Sequence, residues 1–143
     1  MRRALDCAHE AALLGEVPIG AVIVRNGSLL ASGYNLRETS KNALRHAEMD
    51  AIAYACQTLG AWRLTGCELY VTLEPCLMCA GAIYQARLDR VFIGETDPKA
   101  GAMGSLYQVH EDVRLNHRLP VTSGILAEEC GAVLKDFFRA RRS

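Results

Sequence analysis

The chain has 143 residues, half of them apolar, and its 16 basic and 16 acidic residues leave no formal net charge. This length fits one domain with a sizeable core, and the balanced charge excludes a global electrostatic attraction to nucleic acid, so any such surface must be local. The sequence has no uninterrupted apolar run of membrane length and no secretory signal, which leads us to expect a cytoplasmic protein without a membrane partner.

The first half of the chain predicts a helix, a β-hairpin and a second helix. The helix is expected over residues 3–14, and two strands follow over residues 19–24 and 29–34. Arg25-Asn26-Gly27 lies between those strands and is a strong hairpin signal. A second, amphipathic helix begins near His46, because apolar residues recur at spacings of three and four: Ile52, Ala55, Cys56 and Leu59.

The second half alternates between strands and helices. Strands are predicted over residues 68–73 and 90–93, and helices from about 77 to 87, over 105–109 and over 124–141. The last helix carries an apolar stripe of Leu126, Cys130, Val133 and Phe137. This alternation requires crossover connections and predicts an α/β fold, a three-layer α/β/α sandwich whose mixed sheet is covered on both faces.

Two short motifs carry the chemistry, His46-Ala47-Glu48 and Glu74-Pro75-Cys76-Leu77-Met78-Cys79. One imidazole and two thiolates are the ligands that zinc takes in a catalytic site, where a fourth position stays open for water. The first motif also contains Glu48, which is too hard and too close in sequence to be the natural fourth ligand. We interpret Glu48 as the group that transfers protons.

The spacing of each motif predicts where its side chains lie. Pro75 suits the first turn of a helix, and Cys76 and Cys79, three residues apart, then share one face near a helix N-terminus that favours thiolate. Residues two apart on a regular helix point roughly 200° from each other. His46 and Glu48 therefore converge only if the metal lies off the end of their helix, in its first turn.

Three other interpretations of these motifs remain open. Cys76 and Cys79 could form a redox pair, although such a pair does not need the remote His46. They could belong to a structural zinc site, although the remaining cysteines and histidines offer no second closely spaced ligand pair. They could also be buried small apolar residues. The joint occurrence of both motifs makes coincidence the weakest of these accounts.

The H-x-E and P-C-x-x-C motifs resemble those of the cytidine deaminase superfamily. Within it, the whole chain is similar to the bacterial tRNA-specific adenosine deaminases. The stretches that carry this similarity are residues 16–22, 33–35, 97–106, 116–118 and 137–142. The resemblance implies a cytidine deaminase-like fold with a five-stranded central sheet, in a single zinc-dependent deaminase domain over residues 1–143.

The resemblance also implies a reaction and its residues. His46, Cys76 and Cys79 would hold one Zn²⁺ per subunit, and Glu48 would transfer protons while the wobble adenosine of a tRNA anticodon loop is hydrolysed to inosine and ammonia. The enzyme would be a homodimer that binds the anticodon stem-loop. The implied substrate-binding residues are Asn35, Asp97, Lys99, Asn116, Phe138 and Arg142.

Each of these substrate contacts also has a simpler interpretation. Asn35 could be a turn residue at a strand end, and Asp97 could be part of a solvated loop. Without the resemblance, Phe138 would be assigned to the core, and the basic residues near it to an exposed helix end. Those basic residues, with two more on loops, are the candidates for an RNA surface: Lys99, Arg118, Arg139, Arg141 and Arg142.

Two alternative functions use the same motifs. A small-molecule deaminase acting on guanine, cytidine or deoxycytidylate would need neither the arginine-rich terminus nor an RNA-sized groove. A non-catalytic, zinc-stabilised RNA-binding subunit would have no use for Glu48. For the implied homodimer, Gly81-Ala82-Ile83-Tyr84 offers a face of mostly small residues, which ordinary core packing would equally explain.

Overall fold

Five strands form one mixed sheet in a computed structural model that describes residues 1–142; Ser143, the last residue of the predicted domain, lies outside the described residues. The strands are β1 (Gly20–Arg25), β2 (Ser28–Tyr34), β3 (Cys67–Leu73), β4 (Arg90–Glu95) and β5 (Val121–Thr122). The helices are α1 (Arg2–Leu13), α2 (Arg37–Ser40), α3 (Ala47–Leu59), α4 (Leu77–Gln85) and α5 (Ala127–Arg142), with a 3₁₀ turn at Val109–Glu111.

The strand order is β2-β1-β3-β4-β5. β1 pairs with β2 and β3 in antiparallel fashion, and β4 pairs with β3 and β5 in parallel. A parallel pair needs a crossover, and α4 provides it between β3 and β4. The predicted α/β class and the mixed five-stranded sheet are therefore confirmed.

The turn between β1 and β2 follows directly from its two residues. Asn26 and Gly27 both have positive φ, 52° and 76°, and the flanking Arg25 and Ser28 pair with each other. Two central residues with positive φ define the type I′ turn, whose twist matches that of the strands it joins. The predicted hairpin is confirmed, and it lies at the end of β1 that is farther from the two motifs.

Two glycines show how closely helices approach both faces of the sheet. A Cβ atom on Gly20 would lie 2.0 Å from the carbonyl oxygen of Ala4 in α1, and one on Gly33 would lie 2.4 Å from that of Ala47. Gly33 pairs with Ala21, the neighbour of Gly20, so the two glycines face opposite sides. α1 and α3 therefore cover opposite faces, and α5 contacts α1 while α4 contacts α3.

Four elements depart from the prediction. The helix predicted over residues 105–109 is wrong, because the chain forms a loop there and turns only at Val109–Glu111. α5 begins at Ala127, later than predicted, since Leu126 has a φ of 55° that a right-handed helix does not accept. α2 was not predicted, and β5 had no predicted position.

The predicted dimer face on α4 lies only partly at the surface. Ile83 is fully buried in the core, whereas a Cβ atom on Gly81 would meet no atom within 4 Å. Only the Gly81 side of α4 is thus open to a partner. Within residues 1–142, none of the helices has the length and apolar character needed to cross a bilayer.

Candidate active site

The two motifs meet because each begins a helix at the same edge of the sheet. His46 is the N-cap of α3 and Cys76 is the N-cap of α4, and both have extended backbone, with φ and ψ of −84° and 156° and of −76° and 178°. Cys79 lies in the first turn of α4. The side chains therefore converge off the ends of two helices, which is the arrangement that the spacing of His46 and Glu48 requires.

The three candidate ligand atoms have the separation that a tetrahedral zinc site needs. His46 Nδ1 lies 3.7 Å from Cys76 Sγ and 3.5 Å from Cys79 Sγ, and all three atoms lie within 4.8 Å of one another. Bond lengths of about 2.0 and 2.3 Å in a tetrahedron place nitrogen and sulfur roughly 3.5 Å apart. The residues present therefore fit a zinc ion, in both ligand type and spacing.

The same three groups share protons unevenly. Hydrogen bonds from Cys79 and His46 lower the pKa of Cys76 to about 3, despite its partial burial. The hydrogen bond to Cys76 raises the pKa of His46. The pKa of Cys79 is also raised, first by its hydrogen bond to Cys76 and then by burial. Cys76 is thus already a thiolate that can bind a cation. A metal ion would compete with protons for the other two ligands, His46 and Cys79.

Glu48 lies beside this cluster with only 4% of its surface exposed. Burial, with the negative charge of Cys76 as a smaller contribution, raises the pKa of Glu48 to about 7. A carboxyl group that titrates near neutral pH can both accept and return a proton, which is the property that general acid–base catalysis requires.

A cavity opens in front of the cluster, and Asn35 lies in its wall. Asn35 Nδ2 donates to the carbonyl oxygen of Val17 at 3.1 Å, and its Oδ1 accepts from the backbone N–H of Arg37 at 3.1 Å. These bonds fix the amide and, among residues 1–142, use only one of the two N–H groups of Nδ2. The lining residues are Val17, Ile19, Asn35, Arg37, His46, Ala47, Glu48, Leu73, Glu74, Cys76, Asp97 and Ala100.

Asp97 reaches the cavity as part of a turn. Its Oδ1 accepts hydrogen bonds from the backbone N–H groups of Lys99 and Ala100, at 3.1 and 3.3 Å. The carboxylate thus shapes its own loop, as the simpler interpretation of the sequence has it, and lines the cavity as well.

Phe138 and Arg142 on α5 lie on a surface that continues from the cavity. Both line a depression that shares Val17 and Arg37 with the cavity wall, and both line a second depression together with Lys99. Phe138 is 44% exposed, so its assignment to the core is wrong.

Three of the other basic candidates have contacts within the protein, and one of them is Arg139, which forms an ion pair with Asp136 at 3.6 Å. Arg141 donates to the carbonyl oxygen of Gly15 at 2.8 Å, and its guanidinium lies 5.1 Å from the ring centre of Phe137. Arg118 donates to carbonyl oxygens in its own loop. Asn116 is exposed in that loop, and within residues 1–142 the lining of the cavity does not include it.

Comparison with known proteins agrees with this geometry. A family model described as MafB19-like deaminase matches residues 1–142. The tRNA-specific adenosine deaminase of Bacillus subtilis (strain 168) is 51% identical to this chain, over 99% of this chain and 88% of that protein. The chain belongs to the tRNA-specific adenosine deaminase family. The family that the sequence motifs indicate is therefore confirmed.

Solved structures place this family member within a wider fold. A structure from work on A-to-I editing by tRNA:A34 deaminases at the wobble position of transfer RNA has a TM-score of 0.90 and 42% identity, covering 94% of this chain and 97% of that chain. Guanine deaminase from Bacillus subtilis has a TM-score of 0.65 and 35% identity, covering 99% of this chain and 90% of that chain. The fold is thus shared with a deaminase named for a free base.

Three residues of the site have no role in the sequence interpretation. Arg37 adds a positive charge to the cavity wall, Glu74 is a buried carboxylate in the same wall, and Glu16 is a buried carboxylate next in sequence to the wall residue Val17. The sequence gives one indication that the two glutamates are buried, because each is adjacent to a mostly apolar stretch. Val-Pro-Ile follows Glu16, and Tyr-Val-Thr-Leu precedes Glu74.

Proposed function

We propose that this protein is a hydrolase that converts the wobble adenosine of a tRNA anticodon loop to inosine and ammonia. One observation carries the proposal: a His/Cys/Cys cluster with zinc spacing lies beside a buried carboxyl group that titrates near neutral pH, in a chain of the tRNA-specific adenosine deaminase family. The reaction exchanges the exocyclic amine of adenine for an oxygen from water.

His46, Cys76 and Cys79 would hold one zinc ion per subunit. Their nitrogen and two sulfur atoms are three donors, which leaves the fourth position of a tetrahedral site for a water molecule. A zinc ion bound there would supply Lewis acidity, which makes the attacking water acidic enough to react at neutral pH.

Glu48 moves the protons of the reaction. It accepts a proton from the attacking water and delivers protons to N1 of the adenine and to the departing amine. Its burial excludes solvent from these transfers, and a pKa of about 7 lets it change protonation state in both directions.

The RNA binds across the cavity and the adjoining face of α5. Asn35 and Asp97 in the cavity wall contact the target nucleotide and its neighbour, with the base turned out of the loop into the cavity. Phe138 stacks with a base, while Lys99 and Arg142 neutralise phosphates. Asn116, exposed on its own loop, contacts RNA farther from the reacting base.

A second candidate function is a small-molecule deaminase acting on guanine, cytidine or deoxycytidylate. The 35% identity to a guanine deaminase favours it. The TM-score of 0.90 to a tRNA:A34 deaminase, and the exposed aromatic and basic groups beside the cavity, favour RNA. The buried Glu48 favours an enzyme over a non-catalytic RNA-binding subunit.

The enzyme works as a homodimer in the cytoplasm. The open side of α4, with the exposed Leu77 and the space beside Gly81, offers the surface for a second copy. The cytoplasm is the compartment in which a tRNA substrate would be met.

The test is a set of parallel incubations of zinc-loaded protein. An anticodon stem-loop with wobble adenosine is one substrate, and free adenosine, cytidine and guanine are the others. We expect inosine from the stem-loop and little product from the three small molecules. Faster deamination of free guanine or cytidine would overturn the proposal in favour of the second candidate.

A further inference from the structure

Glu74 is a buried charged residue between β3 and the first cysteine ligand. It is only 3% exposed, and its backbone N–H donates to the carbonyl oxygen of Glu95 at the end of β4, 2.9 Å away. A carboxylate in such a place is costly unless its oxygens accept hydrogen bonds. The groups that donate hydrogen bonds to the Glu74 carboxylate therefore show which part of the chain it holds in place.

Within residues 1–142, all four donors to the Glu74 carboxylate belong to one stretch, residues 97–105, which we call the 97–105 loop. Oε1 accepts from the backbone N–H of Asp97, at 3.0 Å, and from the hydroxyl of Ser105. Oε2 accepts from the backbone N–H groups of Met103 and Ser105, at 3.1 and 3.0 Å. Both ends of the loop are thus attached to a single carboxylate.

Gly101, inside the loop, leaves the room that this carboxylate occupies. A Cβ atom there would lie 2.2 Å from the carboxyl carbon of Glu74. The backbone of Gly101 is not among those with positive φ, so the glycine is needed for space and not for its conformation. Ala102 adds a direct tie to the ligand segment, since its N–H donates to the carbonyl oxygen of Pro75 at 2.8 Å.

The 97–105 loop joins the cavity to the surface of α5. Asp97 and Ala100 line the cavity, and Lys99 lines the depression that also contains Phe138 and Arg142. A shift of this loop would therefore move one wall of the cavity and one charge of the adjoining surface together.

We propose that Glu74 is a positioning residue, which fixes the 97–105 loop against the metal-ligand segment and thereby sets the site for the nucleotides that flank the reacting adenosine. The identity of the ligand as RNA rests on the proposed function. Among residues 1–142, the side chain of Glu74 forms hydrogen bonds with the 97–105 loop and with none of the candidate metal ligands.

The substitution Glu74→Gln tests this arrangement with little change of shape. Each carboxylate oxygen accepts two bonds, so replacing either oxygen by an NH₂ group sets a donor against two donors. Gly101→Ala disrupts the same contact from the loop side, because its Cβ atom would overlap with the carboxylate of Glu74. Ser105→Ala removes only the hydroxyl donor and should have a smaller effect than either.

Amide hydrogen exchange gives the first measurement, because it reports the hydrogen bonds directly. In Glu74→Gln, the amides of Asp97, Met103 and Ser105 should exchange about tenfold faster or more, as expected for lost bonds to a charged group. Glu16→Gln is the matched control, since it changes another buried carboxylate that binds a different segment. It should leave these three amides as they are.

Steady-state kinetics on the stem-loop give the second measurement. We expect KM to rise about tenfold in Glu74→Gln and in Gly101→Ala, with kcat within about threefold of the parent and an unchanged zinc content. The double variant should be less than additive, because both changes break one contact.

Three results would overturn the proposal. Unchanged exchange at the three amides would show that Glu74 does not hold the loop. Lost stability with an unchanged KM would show a purely structural role, and lost zinc or a lower kcat would place the effect at the metal centre.

If Glu74→Gln does not fold, Gly101→Ala and Ser105→Ala carry the same tests. A parent protein without activity on the stem-loop would instead refute the proposed function, while the exchange data would still decide whether Glu74 holds the loop.

Discussion

Two neighbouring acids at the candidate metal centre are shifted in opposite directions. Hydrogen bonds from Cys79 and His46 hold the pKa of Cys76 at about 3, whereas burial raises the pKa of Glu48 to about 7. A thiolate suits a metal ligand, and a carboxyl group with a near-neutral pKa suits proton transfer. The environment of each residue, and not its type alone, separates the ligand from the proton carrier.

We predict that Glu48→Gln retains its zinc and its fold but loses activity by about 10²–10⁴-fold, because the amide cannot accept a proton. Zinc content, thermal unfolding and kcat on the stem-loop are the measurements. Glu10→Gln, an exposed glutamate on α1, is the control and should match the parent. A Glu48→Gln enzyme with activity within a few-fold of the parent would exclude this role.

Metal content tests the ligands separately from catalysis. We predict that Cys76→Ser and Cys79→Ser each lose most of their zinc, because serine is a harder and much less acidic donor. Cys56→Ser is the control, since Cys56 donates to the carbonyl oxygen of Trp62, away from the cluster, and should keep one zinc per chain. Elemental analysis that finds full zinc in Cys76→Ser would contradict the assignment.

Among the helices, α2 shows how a short element depends on one buried charge. The carboxylate of Glu16, 1% exposed, accepts from the backbone N–H groups of Glu38, at 3.1 Å, and Thr39. Burial alone would raise the pKa of Glu16, but the hydrogen bonds from Thr39 and Glu38 outweigh it and hold the pKa below its ordinary value of 4.5. A four-residue helix with few bonds of its own is thus fixed next to the cavity wall.

This depressed pKa gives a pH-dependent stability. The contribution of Glu16 is fully present above about pH 4.5 and is lost as the pH falls through its lower folded value. We predict that Glu16→Gln is less stable than the parent by about 1–3 kcal/mol at pH 7, and that the difference shrinks on acidification. Urea unfolding from pH 7 to pH 3, with Glu10→Gln as control, measures it. A stability difference between Glu16→Gln and the parent that stays constant from pH 7 to pH 3 would disprove this pH dependence.

We propose different roles for two neighbouring arginines of α5, RNA binding for Arg142 and a structural contact for Arg141. Both arginines line the depression that shares Val17 and Arg37 with the cavity wall, but Arg141 donates to the carbonyl oxygen of Gly15, whereas Arg142 also lines the depression that contains Lys99. We predict that Arg142→Ala weakens stem-loop binding and flattens the plot of log affinity against log salt by about 0.7, as for one lost phosphate contact with a single strand. Its thermal stability should be that of the parent.

The control for Arg142 removes the same charge from a distant place. Arg25 is exposed at the hairpin end of β1, far from the cavity edge of the sheet, and Arg25→Ala should change neither affinity nor salt slope. Equal effects of the two substitutions would mean that RNA binding follows overall charge. The surface on α5 would then not be a specific RNA-binding site.

Over the whole molecule, the sequence predicts the elements well where the determining interactions are local. The Asn26-Gly27 turn and the two helix starts at His46 and Cys76 follow from short-range chemistry, and the structure has them. The helix predicted over residues 105–109 fails because the donors of Ser105 are engaged by Glu74, 31 residues away. A long-range hydrogen bond overrides the local pattern there.

The same distinction explains the site. His46, Glu48, Cys76 and Cys79 carry their chemistry in their side chains, so their types and spacing predict a metal site. Apart from one bond to the Ser105 hydroxyl, Glu16 and Glu74 act through backbone N–H groups, which every residue other than proline possesses, at separations of 22 to 31 residues. The residue types in those loops therefore give no sign of the partner.

The wobble position of the anticodon loop is the proposed site of the reaction, and the most direct measurement moves the adenosine away from that position. Two anticodon stem-loops of equal length and composition carry their single loop adenosine either at the wobble position or one nucleotide farther along, and kcat/KM for inosine formation is measured for both. From the proposal that the cavity and the 97–105 loop hold the flanking nucleotides, we predict that the wobble substrate reacts at least 10²-fold faster, the scale that about 3 kcal/mol of lost positioning produces. Equal rates for the two stem-loops, or a higher rate with free adenosine or guanine, would contradict the account.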